Sequence, residues 1–179
     1  DRGPFKGMKQ PIWLNVGRVA VEKNIAAFPD TPLEGTKVVV GDGPQMEALK
    51  AKHPDAHFLG VKQGGELADC FANADCFVFP SLTDTFGLVI LEAMAASLPI
   101  ITTPVYGIVE QVRENINALF YQPGETARLA DHIAILLDEP KLRKRLSDNS
   151  RRVLDTLTDF ETMASAYGSV FREAWLSGG

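Results

Sequence analysis

The sequence predicts an α/β domain built on a doubly wound parallel sheet of about six strands, with helices on both faces and extra helices at the C-terminal end. Three observations point there. Short apolar runs rich in β-branched and aromatic residues end at glycine or proline, helical patterns alternate with them, and three helical patterns close the chain without a strand between them. Continuous apolar strands belong to a parallel sheet covered on both faces. Strand, helix, strand in repeated order implies right-handed crossovers.

The first strand is I-W-L-N-V, residues 12–16, running into Gly17. T-K-V-V-V at 36–40 runs into Gly41, and C-F-V-F at 76–79 runs into Pro80. P-I-I-T at 99–102 and A-L-F-Y at 118–121 are two more, with a weaker one at 57–59. Helices are expected at 44–52, 66–73, 88–96 and around 108–112, followed by 126–137, 140–153 and 159–176. The opening ten residues, D-R-G-P-F-K-G-M-K-Q, lack an initiator Met and read as a linker after something else, with a single domain over residues 11–179.

At 179 residues and 45% hydrophobic content the chain can bury one substantial core. The 23 acidic against 18 basic residues, net −5, provide no broad electrostatic footprint for nucleic acid or an anionic membrane. Any anionic ligand must be held locally. Cys70 and Cys76 lack C-x-x-C spacing and read as buried, reduced thiols, which suits a cytoplasmic compartment. No apolar segment reaches the ~18 residues of a membrane span, so any membrane seat of a longer protein would be peripheral. Lys141, Arg143, Lys144, Arg145, Arg151 and Arg152 lie on helical pattern beside acids and read as a solvated face, with a partner or membrane surface as the alternative.

Ligands on doubly wound sheets bind beyond the carboxyl ends of the strands, so the post-strand loops carry the search. Gly17 lets backbone approach a ligand after the first strand, Arg18 can grip a phosphate bidentately, and Lys23 adds a point charge. Two cations would roughly neutralise a diphosphate; equally, they could be ordinary surface residues. In G-D-G-P, residues 41–44, Gly41 serves either a tight turn or close ligand approach. It is not G-x-G-x-x-G, which argues against a dinucleotide-dependent oxidoreductase.

The informative stretch is P-S-L-T-D-T-F-G-L-V-I-L-E-A-M-A, residues 80–95. Phe86, Gly87 and Leu88 lead into a helix whose first N–H groups lack intrahelical partners and make an anion site. Glu92, the single charge between Phe86 and Ile101, lies one turn further in, ~6 Å along the axis. A carboxylate facing its own apolar helix needs solvent, a buried cation or hydroxyl donors such as a sugar's. Asp84, ahead of the helix, is a second carboxylate or a cap. His53 and His57 are separated by Pro54, which breaks the single helical face a metal pair needs; His132 is on an amphipathic helix, and no metal site is expected.

Together, G-R-x(4)-K-N at 17–24, G-D-G-P at 41–44, F-L-G at 58–60, and E-L-A-D-C-F-A-N-A-D-C-F-V-F-P-S running into D-T-F-G-L-V-I-L-E-A-M-A resemble the retaining nucleotide-sugar glycosyltransferases of family four, which have the GT-B fold. The resemblance runs over residues 15–175 and covers the C-terminal, donor-binding one of that fold's two Rossmann-like domains. It implies transfer of a hexose from a UDP- or GDP-linked sugar to a glycan, lipid or small-molecule acceptor held by a missing N-terminal domain. No essential cofactor or metal is implied, and the isolated chain is expected to bind nucleotide without turnover. A nonenzymatic nucleotide-sugar or phosphate-binding module is the alternative.

By that resemblance Arg18 and Lys23 bind the donor diphosphate and stabilise the leaving group. Phe86, Gly87 and Leu88 match the backbone donors to phosphate and sugar, and Glu92 matches the ribose ligand of the family's E-x7-E motif. Gly60, Val61 and Lys62 match the loop against which the base stacks. Asp84 stands where the motif's first Glu contacts hydroxyls of the transferred sugar and is one methylene shorter. Only about a dozen residues separate Lys23 from the second strand, so the usual first helix shrinks to a turn or two in I-A-A-F-P-D.

Overall fold

The computed structural model describes residues 2–82, 88–105, 108–109 and 111–157. Six strands form one parallel sheet: β1 (Ile12–Val16), β2 (Thr36–Val40), β3 (His57–Phe58), β4 (Cys76–Phe79), β5 (Ile100–Thr102) and β6 (Ala118–Phe120), in the order β3-β2-β1-β4-β5-β6. The helices are α1 (Ala27–Asp30), α2 (Met46–Lys52), α3 (Gly64–Asn73), α4 (Leu88–Ala95), α5 (Thr126–Asp138) and α6 (Pro140–Leu157). The strand order reverses direction between β1 and β4. That is the switch point at which doubly wound sheets open a crevice beyond the strand ends.

Alternation along each strand splits the core into two halves. Ile12, Leu14, Val16, Val38, Val40, Phe77 and Phe79 pack with Leu67, Phe71, Ile90, Leu91 and Met94 of α3 and α4. Trp13, Val39, Cys76, Val78, Ile101 and Leu119 face the other way, onto Met46 and Leu49 of α2 and Leu129, Ile133 and Leu136 of α5. Strands buried on both faces have no polar side to show, which is why they read as unbroken apolar runs. At 18 residues, and so ~27 Å long, α6 is long enough to serve both halves: Leu146 joins the α5 side and Val153 and Leu154 the α4 side.

The one lysine inside a strand, Lys37, is buried with its Nζ donating to the Pro29 carbonyl at 2.7 Å and lying 3.7 Å from Asp55. Cys70 and Cys76 are buried free thiols, and burial pushes the Cys70 thiol up to about 11.

Three expectations change. The opening segment is not a free linker: Gly3–Phe5 forms a 3-10 turn, Phe5 is fully buried against the α3 side of the core, and Arg2 pairs with Asp75 at 3.2 Å. Around Ile108 the described residues make hydrogen-bonded turns rather than a named helix, with Val112 N–H donating to the Ile108 carbonyl. The basic helix extends four residues beyond 153, to Leu157. The shortened first helix is as expected, reduced to the turn Val21–Lys23 and four-residue α1. The final helix expected at 159–176 lies outside the described residues.

Candidate functional site at the carboxyl edge of the sheet

The loops beyond β1, β2, β3 and β4 are tied to one another through backbone. Gly17 N–H donates to the Val40 carbonyl, Val19 to Asp42, Gln45 to Val19, Gly41 to Gly60 at 2.9 Å, and Leu82 to Glu22 at 3.2 Å. These bonds satisfy part of each loop's backbone from a neighbouring loop.

Glycine 41 belongs to this weave. Its φ is +138°, and a Cβ there would sit 1.8 Å from the Gly17 carbonyl oxygen. The turn reading of G-D-G-P thus has a packing reason of its own: the space beside Gly41 is filled by the β1 loop. Gly60 differs, since its φ of +72° asks for glycine while nothing lies within 4 Å of a Cβ there.

Side chains continue the sheet where its ladder stops. β1 and β4 pair through Trp13↔Cys76 and Leu14↔Phe77. One residue on, the fully buried Asn15 amide Nδ2 donates to the Val78 carbonyl at 2.8 Å. Thr102 and Thr103 use their hydroxyls likewise on the Phe79 and Ser81 carbonyls. These residues went unremarked in the sequence, although each is a polar residue at the carboxyl end of an apolar run, which is the available signal.

On this edge Arg18 is exposed, its nearest acid being Glu22 at the 4.0 Å limit of an ion pair. Lys23 ends the turn Val21–Lys23, and Asn24 beyond it takes the left-handed conformation at φ 49°. Gly17 opens the same loop with its own N–H committed to β2. Val61 is exposed and Lys62 lies 3.8 Å from Glu66, both beyond β3. Four large apolar side chains stay exposed in the post-strand loops: Val21, Val61, Leu82 and Val109.

Helix α4 begins at Leu88 beyond β4. Glu92 is 2% exposed, and its Oε2 has no hydrogen-bond partner among the described residues. Of the alternatives for this carboxylate, solvent is excluded by its burial, and the described residues offer it no ion pair. Desolvation raises its pKa from 4.5 to about 7. Asp84, Phe86 and Gly87, also expected at this site, lie outside the described residues. The structure therefore gathers Gly17, Arg18, Lys23, Gly41, Gly60, Val61, Lys62, Leu88 and Glu92 on the elements that meet at the carboxyl edge.

The histidines do other work. His53 Nε2 lies 2.8 Å from Asp30, and His132 Nε2 is 2.7 Å from the Phe120 carbonyl.

The fold has known counterparts. An Anabaena protein solved with UDP-glucose superimposes with a TM-score of 0.76 at 22% identity, over 94% of this chain and 49% of that one. The C-terminal domain of a glycosyl transferase group 1 protein from Francisella tularensis gives 0.73 at 22% identity, over 84% of this chain and 88% of the other. In sequence, the chain is 31% identical to the sulfoquinovosyl transferase of Arabidopsis thaliana over 151 residues, 80% of this chain and 30% of the relative. It is 32% identical to a GDP-mannose-dependent alpha-mannosyltransferase of Corynebacterium glutamicum over 164 residues, 89% of this chain and 35% of the relative. The chain thus spans about a third of the length of these two relatives. Residues 2–153 match the family of glycosyl transferases group 1, and the chain belongs to that family.

Proposed function

We propose that the chain is the donor-binding, C-terminal domain of a retaining glycosyltransferase that moves a hexose from a UDP- or GDP-linked sugar to an acceptor held by an N-terminal domain. The observation that carries this is Glu92. A buried carboxylate with an unpartnered oxygen, one turn inside a helix that opens at the switch point, suits the two hydroxyl donors of a ribose. Most carboxylates in apolar surroundings are paired; this one keeps an oxygen without a partner among the described residues, which supports a role in taking a ligand's donors.

Around it the roles distribute by charge and position. Arg18 and Lys23 hold the diphosphate and offset the negative charge that grows on it as the glycosidic bond breaks, each charge-assisted contact contributing roughly 1.5–3 kcal/mol. The N–H groups at Phe86, Gly87 and Leu88 add the helix-mouth field. Asp84 meets hydroxyls of the transferred sugar, and Gly60, Val61 and Lys62 form the wall for the base. A GDP-mannose-dependent relative and a structural neighbour solved with UDP-glucose support a nucleotide-linked hexose as donor. The exposed Val21, Val61, Leu82 and Val109 suit an edge that faces a second domain. The acceptor, whether glycan, lipid or small molecule, sits on that second domain. A cytoplasmic setting is supported by the free thiols Cys70 and Cys76; no helix among the described residues is long and apolar enough to cross a membrane.

Calorimetric titration with UDP, GDP, ADP and NAD, with and without magnesium, tests the reading. Saturable binding of one nucleoside diphosphate, independent of magnesium and weakened by Arg18→Ala and by Glu92→Gln, is expected. Parent-like binding by both variants overturns the site. The isolated chain should not turn over; robust transfer by it to any acceptor overturns the two-domain reading.

A further inference from the structure

We propose that a cavity at the opposite, amino edge of the sheet is a second binding site, for a small ligand bearing a phosphate group gripped by Arg143. The cavity holds about 380 Å³ and is walled by the residues leading into β4 and β5, among them Asp75, Ser97 and Pro99, and by the first turns of α6. That volume suits a small polar metabolite rather than a bare ion.

Arg143 is half-buried in this wall, and its guanidinium makes one hydrogen bond among the described residues, from Nη1 to the Leu136 carbonyl at 3.1 Å. No carboxylate pairs with it there, whereas its neighbours are matched: Lys144 with Asp148 at 2.8 Å, and Arg151 near Asp155. A guanidinium carries five N–H donors, so the single bond to Leu136 leaves donors for a ligand. Asp75, the acid in the wall, is already spent, accepting from Ile12 N–H at 2.7 Å and from Arg2 at 3.2 Å. Helix α6 lines the same cavity along one face, through Pro140, Arg143, Lys144 and Ser147. Lys144, which lines the same wall while paired with Asp148, adds a second positive charge, from which a doubly charged phosphate gains more than a singly charged carboxylate.

The test follows backbone amide resonances of the chain during titration with inorganic phosphate and glycerol phosphate, with acetate as the carboxylate arm. Because the nucleotide edge is itself a candidate for phosphate, Arg18→Ala and Arg143→Gln are run in parallel. Saturable shifts at Ser97, Leu98, Lys144 and Ser147 are expected, persisting in Arg18→Ala and weakened about tenfold or more in Arg143→Gln. Shifts confined to Gly17, Gly41 and Leu88, equal response in Arg143→Gln, acetate matching phosphate, or no response at all would each overturn the proposal. The outcome is independent of whether UDP or GDP binds at the other edge.

Discussion

The Asn15 side chain donates to the Val78 carbonyl at 2.8 Å, one residue beyond the last backbone pair joining β1 to β4. A side-chain amide thus stands in for the ladder where the two strands part. Asn15→Leu keeps the branching at Cγ but replaces the donor with a bulkier methyl group and leaves the Val78 carbonyl unpaired in the core. Loss of about 1–3 kcal/mol in urea unfolding is expected, and an unchanged midpoint would show that the bond holds nothing together.

Gly41 and Gly60 separate crowding from conformation. At Gly41 a methyl group meets the Gly17 carbonyl at 1.8 Å, so Gly41→Ala must push the β1 loop aside. Gly60→Ala meets open space and bears only the left-handed backbone, about 1 kcal/mol. The expected order in thermal unfolding is Gly41→Ala well below Gly60→Ala, with Gly60→Ala just below the parent. Equal losses would mean that the loop weave is soft.

Glu92 makes stability depend on pH in the direction opposite to most carboxylates. Its pKa is raised by burial to about 7 from 4.5, so between those values the folded state holds a proton that the unfolded state has lost. Stability from this group is therefore full below 4.5 and falls as pH rises through about 7, by roughly 3 kcal/mol in all. Melting temperature of the ligand-free chain should decline between mildly acidic and mildly alkaline pH. Glu92→Gln should flatten that decline; the same slope in the variant would assign it to other groups.

Nucleotide binding should then expel a proton. Hydroxyl donors favour the ionised carboxylate, so near pH 6 binding must deprotonate Glu92. Titrations in buffers of different ionisation enthalpy should give apparent heats that differ, converging for Glu92→Gln. Identical heats for the parent would place the ligand elsewhere.

Arg18, the proposed diphosphate ligand, carries no structural duty among the described residues beyond its loose approach to Glu22. Being exposed, and only loosely near Glu22, its replacement by alanine should leave the unfolding midpoint within about 0.5 kcal/mol of the parent. Affinity for a nucleoside diphosphate should drop roughly tenfold or more, while that for the nucleoside stays put. Equal loss for both ligands would move Arg18 away from the phosphates.

By itself the sequence determined the strands, the two-faced sheet and the carboxyl edge proposed to hold the donor, because apolar runs ending at glycine or proline and alternating with helices admit few other arrangements. It also singled out Glu92, since a lone charge in an apolar helix is visible without coordinates. The tertiary structure alone decided what surrounds each residue. Whether Gly41 faced a ligand or a neighbouring carbonyl depended on how two loops distant in sequence approach each other. Asn15 and the two threonines became stitches only once strand ends had parted beside them, and Phe5 turned from linker into core through contact with α3. Arg143 looked like one cation of a solvated face until the fold set it, without a carboxylate, against a cavity. Composition and periodicity report which face of an element is buried; partners across the chain follow only from packing.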